Sequence, residues 1–173
     1  MRHQLTAMGA PPPASSPQAR RRMRATKGRD NALERGLRSA LHRAGFRFRL
    51  HRRLLPGMTR SVDVAFPAAR VAVFVDGCFW HGCPIHMTWP KANAGWWREK
   101  IEANRRRDAD TDARLAAAGW TVVRVWEHEA VAEAASRVAA AVDARRPSLL
   151  HRPLDGTPSW PAATPRHGRA KSA

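Results

Sequence analysis

A short segment between residues 76 and 86 holds most of the side chains in this chain that could perform chemistry together. Its sequence is Asp-Gly-Cys-Phe-Trp-His-Gly-Cys-Pro-Ile-His, and it directly follows the apolar run at 71–75. The segment contains a carboxylate, two thiols and two imidazoles, which are the groups that bind metal ions and transfer protons. A buried strand that ends in such a cluster predicts a site at the end of that strand.

Two carboxylates predict a site for a divalent cation. Alternating apolar residues on either side of a proline-led turn predict a β-hairpin in which Phe66 pairs with Val71. In that register Asp63 lies opposite Phe74, so Asp76 becomes its diagonal neighbour on the same face, ~7–8 Å away. Mg²⁺ takes one or two carboxylates and leaves its other positions to water and phosphate oxygens. The alternative is that Asp76 caps the following turn and Asp63 is a lone surface acid.

Two cysteines and two histidines predict a zinc site next to these carboxylates. Cys78, Cys83 and His86 have the spacing Cys-x4-Cys-x2-His, and His128 follows the last predicted strand. A structural Zn²⁺ needs four protein ligands in a tetrahedral arrangement, and these four residues have the required chemistry. The alternatives are two free thiols, or a disulfide between Cys78 and Cys83.

Aromatic side chains interrupt the metal-ligand segment. Phe79 and Trp80 lie between the two cysteines, and Trp96 and Trp97 lie near the start of a long predicted helix. Large aromatic side chains are ordinarily core residues. The segment around Phe79 is too polar for a core strand, however, and apolar side chains can enter between base pairs and distort a duplex. Core packing and contact with nucleic acid are both open interpretations at this point.

The elements that must position these groups follow from hydrophobic periodicity and from helix and strand breakers. The pattern predicts helices at 31–44, 94–118 and 129–143, and strands at 46–50, 62–66, 70–76 and 121–126. Together these elements predict an α/β fold, in which a small mixed sheet is flanked by helices.

The length and composition indicate one domain with two tails. The chain has 173 residues, and its longest apolar runs are too short to span a bilayer. No apolar stretch follows the basic N-terminus as in a secretory signal, and two cysteines exclude a disulfide framework, so we expect a cytoplasmic protein without membrane association. Residues 1–22 and 146–173 are rich in proline and polar residues and predict disorder, which leaves a domain at 23–145.

The net charge of +17 is unevenly distributed. The first 62 residues carry fifteen Arg and Lys against two acids, whereas residues 63–144 carry ten against eleven. A basic N-terminal segment followed by a nearly neutral segment with clustered acids predicts binding to a phosphate backbone beside a metal centre. The alternative is a solubilising surface in an arginine-rich composition.

The segment 74–84 resembles the hallmark sequence of the very-short-patch mismatch-repair DNA endonucleases. Further segments match in the same order, over roughly residues 22–130: Met23 to Thr26 with Arg29 and Asp30, Leu55-Pro56-Gly57, Trp97 to Ile101 with Asn104, Arg107 and Asp108, and Ala118 to Trp120 leading to Val125, Trp126 and Glu127. The combination is specific to this family. Where its well-known form has a histidine, this chain has Asp76, and a carboxylate at that position is expected to bind metal.

The resemblance implies a restriction-endonuclease-like fold and an enzyme that nicks double-stranded DNA beside a thymine–guanine mismatch. Such mismatches arise when 5-methylcytosine deaminates. The resemblance also implies Mg²⁺ for cleavage and a structural Zn²⁺. We further expect a monomer that works at the nucleoid, with a functional link to a cytosine-5 methyltransferase.

The resemblance assigns roles residue by residue. Asp63 matches the metal-binding carboxylate, and Val75 matches the residue whose backbone carbonyl helps to hold metal. His81 matches the histidine that activates water, and this role requires an ordinary imidazole pKa. Glu34 and Asp108 match acids beside the active site, and Cys78 matches a zinc ligand. Side chains expected to contact DNA are Phe79, Trp80 and Trp97 as wedges, with Met23, Arg24, Arg29, Lys100 and Asn104.

Alternatives stay open for individual residues and for the function. Asn31-x-x-Glu34 is also the pattern of a helix cap, and Asp108 can equally be an ion-paired or solvated acid. A restriction-type or modification-linked nuclease of the same fold would cleave a different DNA target. A zinc-stabilised DNA-binding module would bind DNA without cleaving it.

Overall fold

The computed structural model describes residues 12–13, 16–18, 20–21 and 31–145. Several predictions lie outside these residues, namely most of the predicted disordered segment 1–22, all of the segment 146–173, and the DNA contacts of Met23, Arg24 and Arg29. In the part of the chain that is described, no helix has both the length and the apolar character needed to cross a membrane.

Four strands and three helices alternate along residues 31–145. They are α1 (Ala32–Arg43), β1 (Arg49–Arg52), β2 (Val62–Phe66), β3 (Val71–Asp76), α2 (Ala94–Ala117), β4 (Thr121–Trp126) and α3 (Val131–Arg145). The strands form one sheet in the order β1-β2-β3-β4, antiparallel across the first two pairs and parallel between β3 and β4. The predicted α/β fold with a small mixed sheet flanked by helices is confirmed.

Helix α1 begins and ends where its sequence predicts. The side chain of Asn31 caps the helix, because its Oδ1 accepts a hydrogen bond of 2.7 Å from the backbone N–H of Glu34. Leu33, Leu37 and Leu41 recur at helical spacing and are buried against the sheet. The chain leaves the helix through Gly45, whose φ of 87° is readily adopted only by glycine.

The sheet has an apolar cluster on each face. On one face α1 and α3 cover β2 and β3, through a cluster that includes Val64, Val73 and Val138. On the other face α2 contributes Leu115 to a smaller cluster with Phe74. Strands β2 and β3 are therefore covered on both faces, and the polar side chains at their ends are held by a rigid frame.

Strand β1 differs from its prediction. It begins at Arg49 rather than at Phe46, and Leu50, expected on a buried face, is 38% exposed. Phe46 and Phe48 are covered because both pack edge-on against the ring of Phe66, and not because they alternate within a strand. Since β1 is a short edge strand, one of its faces stays open to solvent.

The hairpin between β2 and β3 has the predicted register, but its pairing stops one residue too early for the predicted site. Phe66 pairs with Val71 as expected, and the ladder ends at Val64 and Val73. In a regular strand Val62 would lie on the same face as Val64. Instead, Val62 packs with Phe74 on the opposite face, which α2 covers. The prediction that Asp63 lies opposite Phe74 is wrong, because this shift turns Asp63 towards α1.

Candidate active site

Asp63 lies in a group of three metal-ligand side chains brought together by three elements. Glu34 comes from the first turn of α1, His51 from β1 and Asp63 from β2, and their ligand atoms lie within 4.8 Å of one another. Oδ2 of Asp63 accepts a hydrogen bond of 2.8 Å from the N–H of Val75, which replaces the missing ladder bond and fixes the carboxylate. Oε1 of Glu34 is 3.7 Å from Nε2 of His51.

The electrostatics of this group favour a bound cation. Burial raises the pKa of Asp63, and the charge of Glu34 raises it further, against the opposing effects of the Val75 hydrogen bond and of His51. Glu34 is almost fully buried beside Arg38. Two carboxylates held together and partly removed from water gain most from a cation placed between them.

Asp76 makes an ion pair that does not involve Asp63, and the prediction that the two carboxylates share an ion stays a prediction. Both of its oxygens accept hydrogen bonds of 2.8 Å from Nη1 of Arg124. Burial raises the pKa of Asp76, while the charges of Arg124 and His81 lower it. The shifted alternation of β2 takes Asp63 to the α1 face, and Asp76 faces a guanidinium from β4. The two acids still interact, because the charge of Asp76 raises the pKa of Asp63.

His81 and Asp108 form a close pair beside Asp76. Nδ1 of His81 is 2.6 Å from Oδ2 of Asp108 and 3.6 Å from Oδ1 of Asp76. Burial lowers the pKa of His81, but the hydrogen bond to Asp108 and the two negative charges outweigh burial, so the pKa is raised. The expectation of an ordinary imidazole pKa is therefore wrong, because the ring has two carboxylate neighbours.

The carboxylate of Asp108 is an ion-paired acid. Burial raises its pKa, but the hydrogen bond and charge of His81, together with the charge of Arg124, outweigh burial and lower it. The solvated alternative for Asp108 is thus excluded. With Nδ1 of His81 engaged by Asp108, Nε2 is the nitrogen that can exchange a proton with a substrate or water.

The four residues predicted to bind zinc lie together. The ligand atoms of Cys78, Cys83, His86 and His128 lie within 4.8 Å of one another. Nδ1 of His128 is 3.0 Å from the sulfur of Cys78 and 3.7 Å from that of Cys83, and Nδ1 of His86 is 4.0 Å from the latter sulfur. In a tetrahedral zinc site, sulfur and nitrogen ligands lie ~3.5 Å apart. The spacing fits that ion.

The chemistry of this group also fits a cation. Both cysteines are buried and free, so the disulfide alternative is excluded for this structure. Burial and the neighbouring sulfur of Cys83 raise the pKa of Cys78 to about 12, because two adjacent thiolates repel each other. A bound cation would remove that repulsion. The loop is oriented from β4, since Glu127 accepts a hydrogen bond of 2.7 Å from the N–H of Cys78.

The aromatic residues of the loop and of α2 form one cluster that is half-buried. Phe79 lies 5.3 Å from Trp80 and 5.1 Å from Trp97, and Trp96 lies 4.8 Å from Trp97, measured between ring centroids. All four rings keep part of their surface open to solvent. The cluster belongs to neither apolar core of the sheet, which leaves the rings accessible to a ligand.

Asn104 is buried behind the aromatic loop. Its amide donates a hydrogen bond of 2.9 Å to the carbonyl of Trp80, and its oxygen accepts one from Arg107. These bonds tie α2 to the aromatic loop, and the DNA contact of Asn104 stays a prediction. Lys100 is half-buried on the same helix, and its DNA contact stays a prediction.

Two residues of these groups were missed by the sequence analysis. Arg124 interrupts an otherwise apolar strand, Thr-Val-Val-Arg-Val-Trp, and such a charge indicates a buried partner. It contacts Asp76 and Asp112 and lies 4.8 Å from the ring centroid of Phe74. His51 has no comparable signal, since it stands among the basic residues of β1.

Comparison with known proteins identifies similar chains. Residues 15–86 match a family described as DNA mismatch endonuclease Vsr. The type II nicking enzyme V.XorIIP of Xanthomonas oryzae is 47% identical over 117 residues, which cover 66% of this chain and 83% of that protein. V.NaeI of Lentzea aerocolonigenes, also named a type II nicking enzyme, is 44% identical over 71% of this chain and 74% of its own. DNA mismatch endonuclease Vsr of Escherichia coli is 38% identical over 61% of this chain and 66% of its own.

Proposed function

We propose that the protein nicks duplex DNA beside a thymine–guanine mismatch. The chain belongs to the family of Vsr mismatch endonucleases and Vsr-like type II nicking enzymes. The protein is a DNA-nicking endonuclease, a hydrolase of phosphodiester bonds. The mismatch target is supported by the names of the matching family and of the Escherichia coli relative. The observation that carries the proposal is the position of a carboxylate group around Asp63 and a histidine–aspartate pair at neighbouring strand ends.

Asp63 and Glu34 would hold the divalent cation used in cleavage, which we propose to be Mg²⁺. Their oxygens are the hard ligands that this ion prefers. When bound, the cation supplies charge neutralisation at the scissile phosphate and its leaving oxygen. Val75, whose N–H already fixes Asp63, would add its backbone carbonyl. Asp76, which Arg124 engages through both oxygens, would bind the ion through the remaining lone pairs of its carboxylate.

His81 would accept the proton of the attacking water. Asp108 holds Nδ1 and fixes the ring, so Nε2 is the basic atom in the neutral form. Because the pKa of His81 is raised, only the fraction of molecules with a neutral ring is active, and that fraction grows with pH. Oδ1 of Asp76 lies 3.6 Å from the same Nδ1 and adds a second negative charge beside the ring.

The zinc group would have a structural role in this enzyme. Cys78, Cys83 and His86 belong to the loop after β3, and His128 follows β4. A zinc ion bound to all four would tie the ends of the two parallel strands together and hold His81, which lies between the two cysteines. Four protein ligands leave no open position for catalysis.

The aromatic cluster and the basic residues would bind the DNA. Phe79, Trp80 and Trp97 would enter the duplex beside the mismatch, where unstacking is easiest. The Arg- and Lys-rich first 62 residues would contact the phosphates, and binding would weaken steeply with salt. We propose that the enzyme acts as a monomer with a restriction-endonuclease-like fold, and that it works at the nucleoid beside a cytosine-5 methyltransferase.

A modification-linked nickase with a different target is the second candidate function. It is favoured by the names of two relatives, V.XorIIP and V.NaeI, which are both called type II nicking enzymes. The two functions differ in whether a mismatch is required. The mismatch proposal predicts no cleavage of a matched duplex, whereas the second candidate predicts cleavage of a specific matched site.

The test is incubation of the full chain and divalent metal with labelled duplexes that are identical except for one thymine–guanine pair. Each strand carries its own label, so the nicked strand and position are read directly. Nicking of the thymine strand alone, only in the mismatched duplex, supports the proposal. Equal nicking of the matched duplex assigns the second candidate instead. Binding without nicking of either duplex would identify a DNA-binding module.

A further inference from the structure

His51 turns out of its own strand towards Asp63. The antiparallel ladder pairs Leu50 with Val64 and Arg52 with Val62, and the His51–Asp63 pair between them is absent from the register. His51 has a φ of 48°, a left-handed conformation that is uncommon for residues other than glycine. The two side chains at this interruption meet Glu34 and form a three-element group.

The imidazole of His51 lacks the hydrogen bonds that a structural histidine normally makes. Among the described residues, its buried Nδ1 has no hydrogen-bond partner. Its Nε2 lies 3.7 Å from Oε1 of Glu34, which is beyond hydrogen-bond range. The contact with Glu34 is therefore too long for a structural hydrogen bond, and neither ring nitrogen makes one among the described residues.

The spacing suits one metal ion instead. With metal–ligand bonds of about 2.1 Å, adjacent octahedral ligands lie ~3 Å apart and opposite ligands ~4.2 Å apart. The 3.7 Å between His51 and Glu34 falls within that interval, and the three ligand atoms lie within 4.8 Å of one another. The third ligand atom is a carboxylate oxygen of Asp63, which the Val75 N–H already orients.

We propose that His51 is a direct ligand of the metal held by Glu34 and Asp63, and that its nitrogen raises the affinity of this site for a first-row transition ion such as Mn²⁺ more than its affinity for Mg²⁺. Imidazole binds first-row transition ions well, whereas Mg²⁺ selects oxygen ligands. The proposal that the three residues bind an ion is supported by their geometry alone. The role of that ion in DNA cleavage rests on the function proposed above.

The experiment is Mn²⁺ binding to the full, zinc-loaded chain, followed by electron paramagnetic resonance with pulsed detection of ¹⁴N coupling. Zinc loading keeps the histidines of the zinc group from contributing nitrogen signals. The variants are His51→Gln and His51→Asp, and the matched control is His42→Gln, an exposed histidine near the end of α1. We expect nitrogen coupling in wild type and His42→Gln, and none in either His51 variant.

Affinity provides a second reading of the same samples. We expect His51→Gln to bind Mn²⁺ about tenfold or more weakly. In His51→Asp the new carboxylate oxygen would still bind Mn²⁺. Mg²⁺ should displace Mn²⁺ from this variant at a lower concentration than from the wild-type protein. Absence of nitrogen coupling in wild type, or its persistence in both His51 variants, would overturn the proposal. A nitrogen-coordinated ion in a protein that nicks no DNA would instead overturn the proposed function.

Discussion

Arg124 holds Asp76 through both carboxylate oxygens, at 2.8 Å each, in the buried space between β3 and α2. The same guanidinium reaches Asp112 at 2.9 Å and lies over the ring of Phe74. One arginine thus balances several acids of the site. Burial lowers the pKa of Arg124, but the hydrogen bonds and charges of Asp112 and Asp76 outweigh burial and raise it, so Arg124 stays charged at every pH of interest.

Removing Arg124 should destabilise the fold. Arg124→Ala leaves Asp76 buried without its partner, and we expect a loss of about 3 kcal/mol in the free energy of unfolding. Urea denaturation measures it. Arg106→Ala, which removes an exposed arginine of α2, is the matched control and should change stability by less than about 0.5 kcal/mol. Equal effects of the two substitutions would mean that the Arg124–Asp76 pair has no stabilising role.

The pH dependence of nicking should follow His81. Because the pKa of His81 is raised, its neutral form, and with it the nicking rate, increases as the pH rises through a midpoint above 6.5. Asp108→Asn removes the hydrogen-bonded charge that raises this pKa, so the midpoint should move to lower pH. The rate–pH profiles of wild type and Asp108→Asn are the measurement. An unchanged midpoint in the variant would contradict the assigned pairing.

Zinc should be a stoichiometric part of the folded chain. We expect one zinc ion per purified molecule by elemental analysis, and a large fall in melting temperature after chelation, since structural zinc contributes to folding directly. His86→Ala should lose the ion, whereas His42→Ala should keep it. A purified wild-type chain that contains no zinc and melts at the same temperature with and without a chelator would refute the site.

The aromatic cluster should determine binding to the mismatch. Trp97→Ala should weaken binding to the mismatched duplex roughly tenfold, because loss of one stacked aromatic is worth ~1–3 kcal/mol. Binding to matched and mismatched duplexes is compared by titration. The control is Trp89→Ala, a tryptophan 42% exposed that contacts Arg98 outside the cluster. If both substitutions weaken mismatch binding equally, the wedge interpretation fails.

The sequence predicted the elements whose causes are local. The cap at Asn31, the buried row of leucines in α1 and the pairing of Phe66 with Val71 all follow from patterns within a few residues. The gathering of the zinc-type residues was also predictable, because a ligand spacing within one loop leaves few arrangements.

The rest of the site depends on contacts that no local pattern encodes. Val62 enters the α2 cluster, and this shift decides which face Asp63 takes. Arg124 forms an ion pair with Asp76, which lies 48 residues earlier in the sequence. The strand pairing of β1 is interrupted at His51, whose φ is 48°. These outcomes are set by competition among packing, charge pairing and backbone geometry across the whole sheet.

The most direct measurement is a comparison of nicking and binding by wild type and Asp63→Asn on the same mismatched duplex. Asparagine keeps the shape of the side chain but removes the charge that would hold the cation. We predict that Asp63→Asn folds and binds the duplex like wild type while its nicking rate falls by a factor of about 100 or more. A variant that folds normally and still nicks the thymine strand at the wild-type rate would contradict the assignment of Asp63 as the catalytic metal carboxylate.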